Sequence, residues 1–460
     1  MAFANFDNDI DEILTKLNIP DTSNNDEIIQ ACIKQFIMFC NETHTRMGVT
    51  SYYVTVNIGL ARTKRAKRIA AIIIEQFETS GSRVYKPNIV FKIKNEINYS
   101  ATSPNRFLLD KALCCTSKKM IPTYLLCDSK CDKDYDPEIL SVMGCRTRVV
   151  ANIHGHQGAI GRGNIANISI NLPRLALEID SELETIHTSE KFMAFKKRWE
   201  QIASSVTEIL LHRYNTLINK DISDFPSNSK YNLWTTNFDT STENVFKQGT
   251  LSIGFIGLSE AIEIIYGEKF YKSTETYSSA IDFVVFMRQY CDKMLKENDI
   301  NFSLLATSGE LISGRFTEID KSLFPKWEHI FSKGFYTNSF HVEVDSQIKS
   351  SQKIEIEGPF HFYCNGGSIT YLELGEAPIG NNEGLNELIL KAINSGVRYL
   401  GFNFPKDVCN HCNNEGIFDE CPLCYGHDIT RIRRVSGYLE ILDGFTTGKK
   451  AEEKHRKQNN

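Results

Sequence analysis

Four cysteines near the end of the chain have the spacing of a metal site. They form two Cys-x2-Cys pairs separated by eight residues, at Cys409, Cys412, Cys421 and Cys424. Two such pairs can place four thiolates at the corners of a tetrahedron, and a site closed by four protein ligands is typical of structural Zn²⁺. The alternatives are unligated thiols in a surface loop, or competition from His411 inside the first pair. We predict a structural Zn²⁺ site.

The residues around the cysteines indicate what this site does. Zinc ribbons often bind nucleic acids, but residues 413–420 contain three acidic residues and no basic one. The whole chain has 52 basic and 57 acidic residues, a net charge of −5. Neutralising phosphates requires clustered Lys and Arg. We therefore predict no nucleic-acid partner, and expect the zinc site to hold the adjoining segment in place.

That adjoining segment contains a glycine, Gly437, within the run Arg-Arg-Val-Ser-Gly-Tyr-Leu at 433–439. A glycine here can serve an ordinary turn because it tolerates positive φ. A glycine α-carbon can also hold an unpaired electron, which the flanking amide nitrogen and carbonyl stabilise together. The glycine alone favours the turn.

The two segments together resemble the C-terminus of the anaerobic (class III) ribonucleotide reductases, whose glycine carries a stable radical. Gly448 and Lys449, after Phe445, also fit the ending of that family. Other segments resemble the family in the same order and extend almost from the first residue to the last. They are Val-Met-Gly-Cys-Arg at 142–146, Gly-Arg-Gly-Asn at 161–164, Ile-Ser-Ile-Asn-Leu-Pro-Arg at 168–174, Phe-Ile-Gly-Leu at 255–258, Phe-Tyr-Thr-Asn-Ser-Phe-His-Val at 335–342 and Gly-Gly-Ser-Ile-Thr-Tyr at 366–371.

The resemblance implies roles for individual residues. Gly437 would store the radical, and Cys145, in the segment 142–146 that matches the family's finger loop, would become the thiyl radical that takes the 3′ hydrogen of a ribonucleotide. Asn164 matches a position that holds an amide in the formate-using subgroup and would orient the ribose hydroxyls. The ordinary alternatives are a buried inert thiol for Cys145 and a turn residue for Asn164. The residues expected to line the substrate or its phosphates are Asn338, Ser339, Gly366 and Gly367.

The resemblance also implies cofactors and partners. The substrate would be a ribonucleoside triphosphate, and formate would be the reductant. The chain has no Cys-x3-Cys-x2-Cys triplet of the kind that binds an S-adenosylmethionine iron–sulfur cluster. We therefore expect a separate radical-SAM iron–sulfur activating enzyme to install the radical using S-adenosylmethionine. We also expect a homo-oligomer.

Bulk properties fit a cytoplasmic enzyme without a membrane partner. Apolar residues make up 41% and charged residues 24% of the 460 residues, which is ordinary for a globular enzyme. No apolar run approaches the ~20 residues of a membrane span, and the first nine residues lack the basic and apolar regions of a signal peptide. Thirteen cysteines without an export signal are expected as reduced thiols, metal ligands or catalytic sulfur.

Alternating strand and helix patterns predict an α/β fold with a parallel sheet, closed or open. The resemblance makes this the C-terminal part of a ten-stranded glycyl-radical α/β barrel with a small zinc ribbon. It divides the chain into a partial barrel with the finger loop at 1–400, the zinc ribbon at 401–428, and the glycyl radical loop with the C-terminal tail at 429–460. Helices are expected at 10–17, 26–43, 64–77, 106–118, 189–219 and 276–297, and strands at 52–58, 88–93, 147–153, 165–171, 251–255, 302–306, 339–344, 360–364 and 399–404.

The start of the chain departs from the family pattern. Ala-Asn-Phe-Asp at 4–7 matches a segment well inside the family's barrel, so the family's long N-terminal portion has no counterpart in this sequence. The explanations are a split gene whose products assemble, a start site placed too late, or a reduced relative with different chemistry. We favour the first two, so a separate N-terminal half is an expected partner.

The sequence therefore predicts the catalytic C-terminal portion of an anaerobic ribonucleoside-triphosphate reductase, an oxidoreductase that could be inactive without an N-terminal half. One alternative is another glycyl radical enzyme that acts on a small carbon substrate. The other is an inactive zinc-binding structural fragment.

Overall fold

The computed structural model describes residues 2–42, 44–45, 50–51, 53–231 and 241–459. Strands and helices alternate through most of these residues, as expected for an α/β protein. The strands are β1 (Ala2–Phe3), β2 (His44–Thr45), β3 (Thr50–Ser51), β4 (Thr55–Ile58), β5 (Asn88–Ile93), β6 (Thr123–Leu126), β7 (Asn164–Asn171), β8 (Thr250–Ile256), β9 (Phe302–Ala306), β10 (Thr370–Glu373), β11 (Tyr399–Asn403), β12 (Lys406–Cys409), β13 (Glu415–Gly416), β14 (Ile429–Arg434) and β15 (Leu439–Ile441). The helices are α1 (Phe6–Lys16), α2 (Ser23–Glu42), α3 (Lys64–Thr79), α4 (Arg106–Lys119), α5 (Leu172–Glu182), α6 (Thr188–Ile218), α7 (Pro226–Lys230), α8 (Thr242–Lys247), α9 (Leu258–Tyr266), α10 (Thr274–Asn298), α11 (Ile312–Leu323), α12 (Glu328–Phe331), α13 (Ser350–Tyr363), α14 (Asn382–Ser395) and α15 (Thr447–His455).

A six-stranded sheet has the order β1-β4-β5-β6-β11-β10. Its neighbouring strands are parallel, except that β6 and β11 are antiparallel. Helix α3 shows how sequence positions a covering element. Its first turn is capped by the Thr63 side chain, which accepts from the Ala66 N–H, and it buries Ala66, Ile69 and Ile73 at spacings of three and four residues. That apolar face joins the core on this sheet.

A second, parallel sheet has the order β7-β8-β9. Helices α5, α6, α9 and α10 contribute to the apolar core around it. Aromatic residues dominate between α6 and α10, where the ring of Phe283 lies 4.5 Å from Phe195 and 6.2 Å from Trp199, centroid to centroid. None of the described helices combines the length and the apolar character needed to cross a membrane.

Two glycines connect the second sheet to the first. The Gly366 N–H donates to the Leu304 carbonyl of β9 (2.8 Å), and the Ala306 N–H donates to the Gly367 carbonyl (3.0 Å). A side chain on Gly367 would place its Cβ 2.9 Å from the carbonyl carbon of Arg146. The two glycines precede β10, so β9, β10 and the segment that contains Arg146 meet where no Cβ fits.

A small antiparallel sheet, β13-β12-β14-β15, ends its strand β12 at Cys409 of the cysteine cluster. Its residues Val408, Ile432 and Leu439 belong to the same apolar core as the first sheet. The Glu415 side chain accepts from the Ser82 N–H at 2.9 Å and forms an ion pair with Lys406 at 2.8 Å. Arg83 donates to the Asn410 side chain at 2.9 Å. Since Ser82 and Arg83 follow α3, these contacts fix the cysteine-bearing sheet to the six-stranded unit.

The α/β class predicted from the sequence is confirmed, with three exceptions among the predicted elements. Residues 147–153 and 339–344 have no strand, and residues 360–364 fall largely within α13, which ends at Tyr363. The backbone of Val342 is bonded to the Glu357 carboxylate at 3.0 Å instead of to a neighbouring strand. Thr43 and Tyr52, predicted ends of a helix and a strand, lie outside the described residues.

Candidate functional site

The finger loop, residues 142–146, turns sharply and places Cys145 near its tip. The Met143 N–H donates to the Thr147 carbonyl and the Thr147 N–H donates back to the Met143 carbonyl, each at 3.1 Å. Gly144 has a φ of 60°, which glycine adopts without strain. Cys145 is half-buried. A lone cysteine is thus held in a rigid turn instead of packing as an ordinary core residue.

Both sheets anchor the finger loop. The Val142 N–H donates to the Asn57 side chain of β4 at 3.0 Å. On the other side, the buried Arg146 guanidinium donates to the Ala306 carbonyl at 3.3 Å and to the Tyr371 hydroxyl at 2.8 Å. A buried guanidinium is costly unless acceptors satisfy it, so these bonds fix the backbone next to Cys145.

The glycine loop, residues 435–438, joins β14 to β15 and presents Gly437 to the finger loop. It is closed by a hydrogen bond of 3.0 Å from the Val435 N–H to the Tyr438 carbonyl. Gly437 is buried and has no positive φ. A Cβ built on it would lie 2.5 Å from both the α-carbon and the carbonyl carbon of Cys145, and closer still to the carbonyl oxygen. Close backbone approach, not turn geometry, is what requires glycine here.

One carboxylate, Glu310, holds both neighbours of Gly437. It accepts a hydrogen bond from the Ser436 hydroxyl at 2.9 Å and another from the Tyr438 hydroxyl at 2.8 Å. The Tyr438 hydroxyl also lies 3.0 Å from the Tyr53 hydroxyl. Sequence reasoning missed Glu310. Its position just beyond the C-terminal end of β9, where parallel sheets gather active residues, was the available signal.

The surroundings keep the Cys145 thiol protonated. Burial raises its pKa and the Glu310 charge raises it further, although Ser436 and the Gly437 N–H oppose this. Burial and Glu310 likewise raise the pKa of Tyr438. An intact S–H bond beside a glycine α-carbon suits transfer of a hydrogen atom better than ionic nucleophilic chemistry, which requires a thiolate.

A cavity of about 770 Å³ opens beside the finger loop. Asn164, at the start of β7, lines it together with Met143 and Gly144. The Asn164 amide donates to the Ser252 hydroxyl at 2.8 Å, while its buried oxygen has no partner among the described residues. An amide oxygen with a free lone pair can accept from a ligand hydroxyl, and the cavity's volume is that of a small-molecule site.

The four other predicted site residues surround the finger loop and the Glu310 segment. The Asn338 side chain accepts from the Gly309 N–H at 3.0 Å, next to Glu310. Ser339 is buried, and its hydroxyl has no partner among the described residues. Gly366 and Gly367 meet the backbones of β9 and Arg146, as described above. The described contacts of Asn338, Gly366 and Gly367 are with protein backbone. These residues therefore position the segments around the finger loop and Glu310.

The four cysteines form a donor set that fits one zinc ion. All four sulfurs lie within 4.8 Å of one another. The Sγ atoms of Cys409 and Cys424 are 3.4 Å apart, and those of Cys412 and Cys421 are 3.5 Å apart. A tetrahedral zinc site with bonds of about 2.3 Å separates sulfurs by about 3.8 Å. Burial raises the pKa of Cys421, but hydrogen bonds from the backbone N–H groups of Cys424 and Leu423 outweigh it and lower that pKa to about 6.

Solved structures of anaerobic ribonucleotide reductases share the fold. One superposes with a TM-score of 0.69 at 15% identity and covers 97% of this chain and 70% of the other. The Thermotoga maritima enzyme in complex with dATP and CTP gives 0.69 at 15% identity, with coverage of 96% and 71%. Hydroxyproline dehydratase from Clostridioides difficile is less similar, with a TM-score of 0.53 at 13% identity and coverage of 89% and 57%. The fold is therefore that of the anaerobic ribonucleotide reductases.

Sequence comparison identifies the family. The family model for anaerobic ribonucleoside-triphosphate reductase matches residues 1–458, so the chain belongs to that family. The reductase of Escherichia coli K12 is 31% identical over 95% of this chain, and that of Salmonella typhimurium LT2 is 32% identical over 90%. The phage T4 reductase is 29% identical over 80%. The chain spans between 60% and 64% of the length of these relatives.

Gly437→Ala is expected to lower the free energy of unfolding by about 1–3 kcal/mol, because the new methyl group overlaps a backbone that cannot move freely. Chemical denaturation with linear extrapolation measures the change. Gly444→Ala is the control, since its Cβ would meet only the Glu440 side chain at 3.8 Å. Equal stability of the two variants would contradict the close approach.

Cys409→Ser is expected to reduce bound zinc to well below the ~1 ion per chain of a closed four-thiolate site, because it removes one ligand. Elemental analysis of purified protein gives the ratio. Cys32→Ser, an exposed cysteine outside the cluster, should retain full zinc. Wild-type zinc content in Cys409→Ser would argue against the four-cysteine site.

Proposed function

We propose that this chain contains the radical and catalytic residues of an anaerobic ribonucleoside-triphosphate reductase. Family membership supports the activity, and one observation supports the mechanism. The Gly437 backbone packs directly against that of Cys145, so a hydrogen atom has only a short path between the thiol and the glycine α-carbon. Gly437 stores the radical, and Cys145 passes its hydrogen atom to Gly437 and becomes a thiyl radical.

The thiyl radical of Cys145 then takes the 3′ hydrogen of the ribose. Sulfur–hydrogen and ribose carbon–hydrogen bonds are of comparable strength, so this transfer is near balance. The 3′ radical makes the neighbouring 2′ hydroxyl leave as water. Overall, one ribonucleotide, one formate and one proton give one deoxyribonucleotide, one carbon dioxide and one water, so formate supplies both electrons. The 3′ hydrogen returns from Cys145 at the end.

Other residues position these groups. Asn164 accepts from a ribose hydroxyl with its unpartnered amide oxygen. Glu310 keeps the glycine loop against the finger loop through its bonds to Ser436 and Tyr438. Ser339 follows Asn338, and its buried hydroxyl has no partner among the described residues. This hydroxyl is available to the substrate. Gly366 and Gly367 line the substrate or its phosphates, and their own N–H groups are bonded to the Leu304 and Cys364 carbonyls.

The proposed assembly includes further components. The four cysteines hold Zn²⁺, which stabilises the sheet from which the glycine loop extends. A separate radical-SAM iron–sulfur activating enzyme installs the radical using S-adenosylmethionine. A homo-oligomer in an oxygen-poor cytoplasm completes the enzyme. The proposed units are residues 1–400, 401–428 and 429–460.

Anaerobic incubation with an activating enzyme, S-adenosylmethionine and a reductant is expected to give an EPR doublet, because the remaining α-hydrogen of a glycyl radical splits the signal. Gly437→Ala should abolish the doublet and Gly444→Ala should retain it. Absence of any signal from zinc-loaded wild-type protein, with an activase that works on another reductase, would contradict the proposal. Release of deoxyribonucleotide after adding a ribonucleoside triphosphate and formate then tests the substrate assignment.

Exposure of the activated protein to air is expected to cut the backbone at Gly437, because carbon radicals react with O₂. The smaller product would carry the last 23 residues of the chain. Mass spectrometry of activated and unactivated samples measures it. Intact chain after demonstrated activation and air exposure would place the radical elsewhere.

A further inference from the structure

A buried charge cluster lies beyond the finger loop and has no role in the chemistry above. Asp132 is fully buried and accepts from two arginines. Arg148 donates to it at 2.6 and 2.9 Å, and Arg398 donates at 3.2 Å. The side chains of Arg148 and Arg398 are only 6% and 1% exposed. Two guanidinium groups therefore share a single carboxylate.

This sharing leaves positive charge uncompensated within the cluster. Removing an unpaired charge from water is costly, so buried charges are normally matched. The Nη1 atom of Arg398 is buried and has no hydrogen-bond partner among the described residues. Burial lowers the pKa of Arg398 and Arg148 lowers it further, with Asp132 opposing both. Among the residues that the structure describes, the Arg398 guanidinium therefore lacks both a hydrogen-bond acceptor for its Nη1 atom and a negative charge of its own.

The same two arginines line a cavity of about 350 Å³ between α10 and α13. Arg288 of α10 lines it as well, and its pairing with Asp292 at 2.8 Å leaves that pair neutral. Aromatic side chains, among them Tyr135 and Phe362, form other parts of the wall. The residues of this wall are different from those of the Asn164 cavity. We call this cavity the arginine pocket.

We propose that the arginine pocket binds a small oxyanion, a carboxylate or a phosphate group, through Arg398, Arg148 and Arg288. The planar guanidinium fork matches the oxygens of either group and can bind two of them at once. The bound anion supplies a second negative charge for Arg148 and Arg398, which otherwise share the single carboxylate of Asp132. It also supplies an acceptor for the unpartnered nitrogen of Arg398.

An occupied arginine pocket would also steady the finger loop. The Arg148 N–H donates to the Gly366 carbonyl at 2.9 Å, and Arg148 follows Cys145 closely in the chain. A ligand that fixes the Arg148 side chain therefore restrains the backbone that leaves the finger loop. The arginine pocket and the Asn164 cavity are lined by different residues. A ligand in the arginine pocket would therefore restrain the finger loop without occupying the Asn164 cavity.

Calorimetric titration of the whole chain with inorganic phosphate, and separately with formate, tests the proposal at an ionic strength held constant with NaCl. We expect saturable binding of one anion per chain at a site whose affinity depends on Arg288. Arg288→Gln should weaken it about tenfold, the effect of losing one charge-assisted hydrogen bond. Arg198→Gln is a matched control, because Arg198 is also an ion-paired helical arginine that is 27% exposed, as Arg288 is.

Saturation by phosphate alone assigns a phosphate group to the pocket, and saturation by formate alone assigns a carboxylate. Absence of saturable binding of either anion to wild-type protein would overturn the proposal. So would equal affinity in wild-type and Arg288→Gln protein, since the anion would then lie elsewhere. Circular dichroism confirms that both variants fold. Binding is measured without turnover, so the result does not depend on the proposed function.

Discussion

The approach of the Gly437 backbone to the Cys145 backbone is the constraint that the rest of the structure serves. It brings together two loops that are far apart in the sequence, residues 142–146 between the sheets and residues 435–438 at the tip of a hairpin. The finger loop is held by Asn57 on one side and by Arg146 on the other. Because Gly366 and Gly367 have no side chains, their backbone lies in direct contact with β9 and with Arg146. Each of these contacts restricts backbone motion that would otherwise move the finger loop away from the glycine loop.

The cysteine-bearing sheet gives the glycine loop a fixed base. Cys409 ends β12, and β12 pairs directly with β14, whose last residue precedes the glycine loop. The hydrogen bond from the Ser82 N–H to Glu415 attaches this sheet to the rest of the protein, and the ion pair of Glu415 with Lys406 joins β13 to β12. A metal ion at the cysteines would therefore stabilise a short hairpin that has little apolar core of its own.

Sequence reasoning captured what local patterns encode. The four-cysteine cluster follows from spacing, and buried strands such as β8 follow from apolar runs. The aromatic residues at 360–363 resemble a strand, yet they continue α13 past Pro359, because tertiary packing overrides local propensity. The only signal for Glu310 is its position after the C-terminal end of β9, since its residue type alone does not distinguish it from other acidic residues in loops. Its role appears only when the fold brings Ser436 and Tyr438 to it.

Burial of Gly437 has a kinetic consequence. The α-carbon of Gly437 is buried, so another macromolecule cannot reach it in this conformation. The β14–β15 hairpin must first separate from Cys145 by local opening. That opening breaks the two bonds to the Glu310 carboxylate, at roughly 1.5 kcal/mol or more each. The exposed form is then about one molecule in a hundred or fewer. The same equilibrium would therefore set both the protection of the proposed radical and the rate at which an activating enzyme could install it.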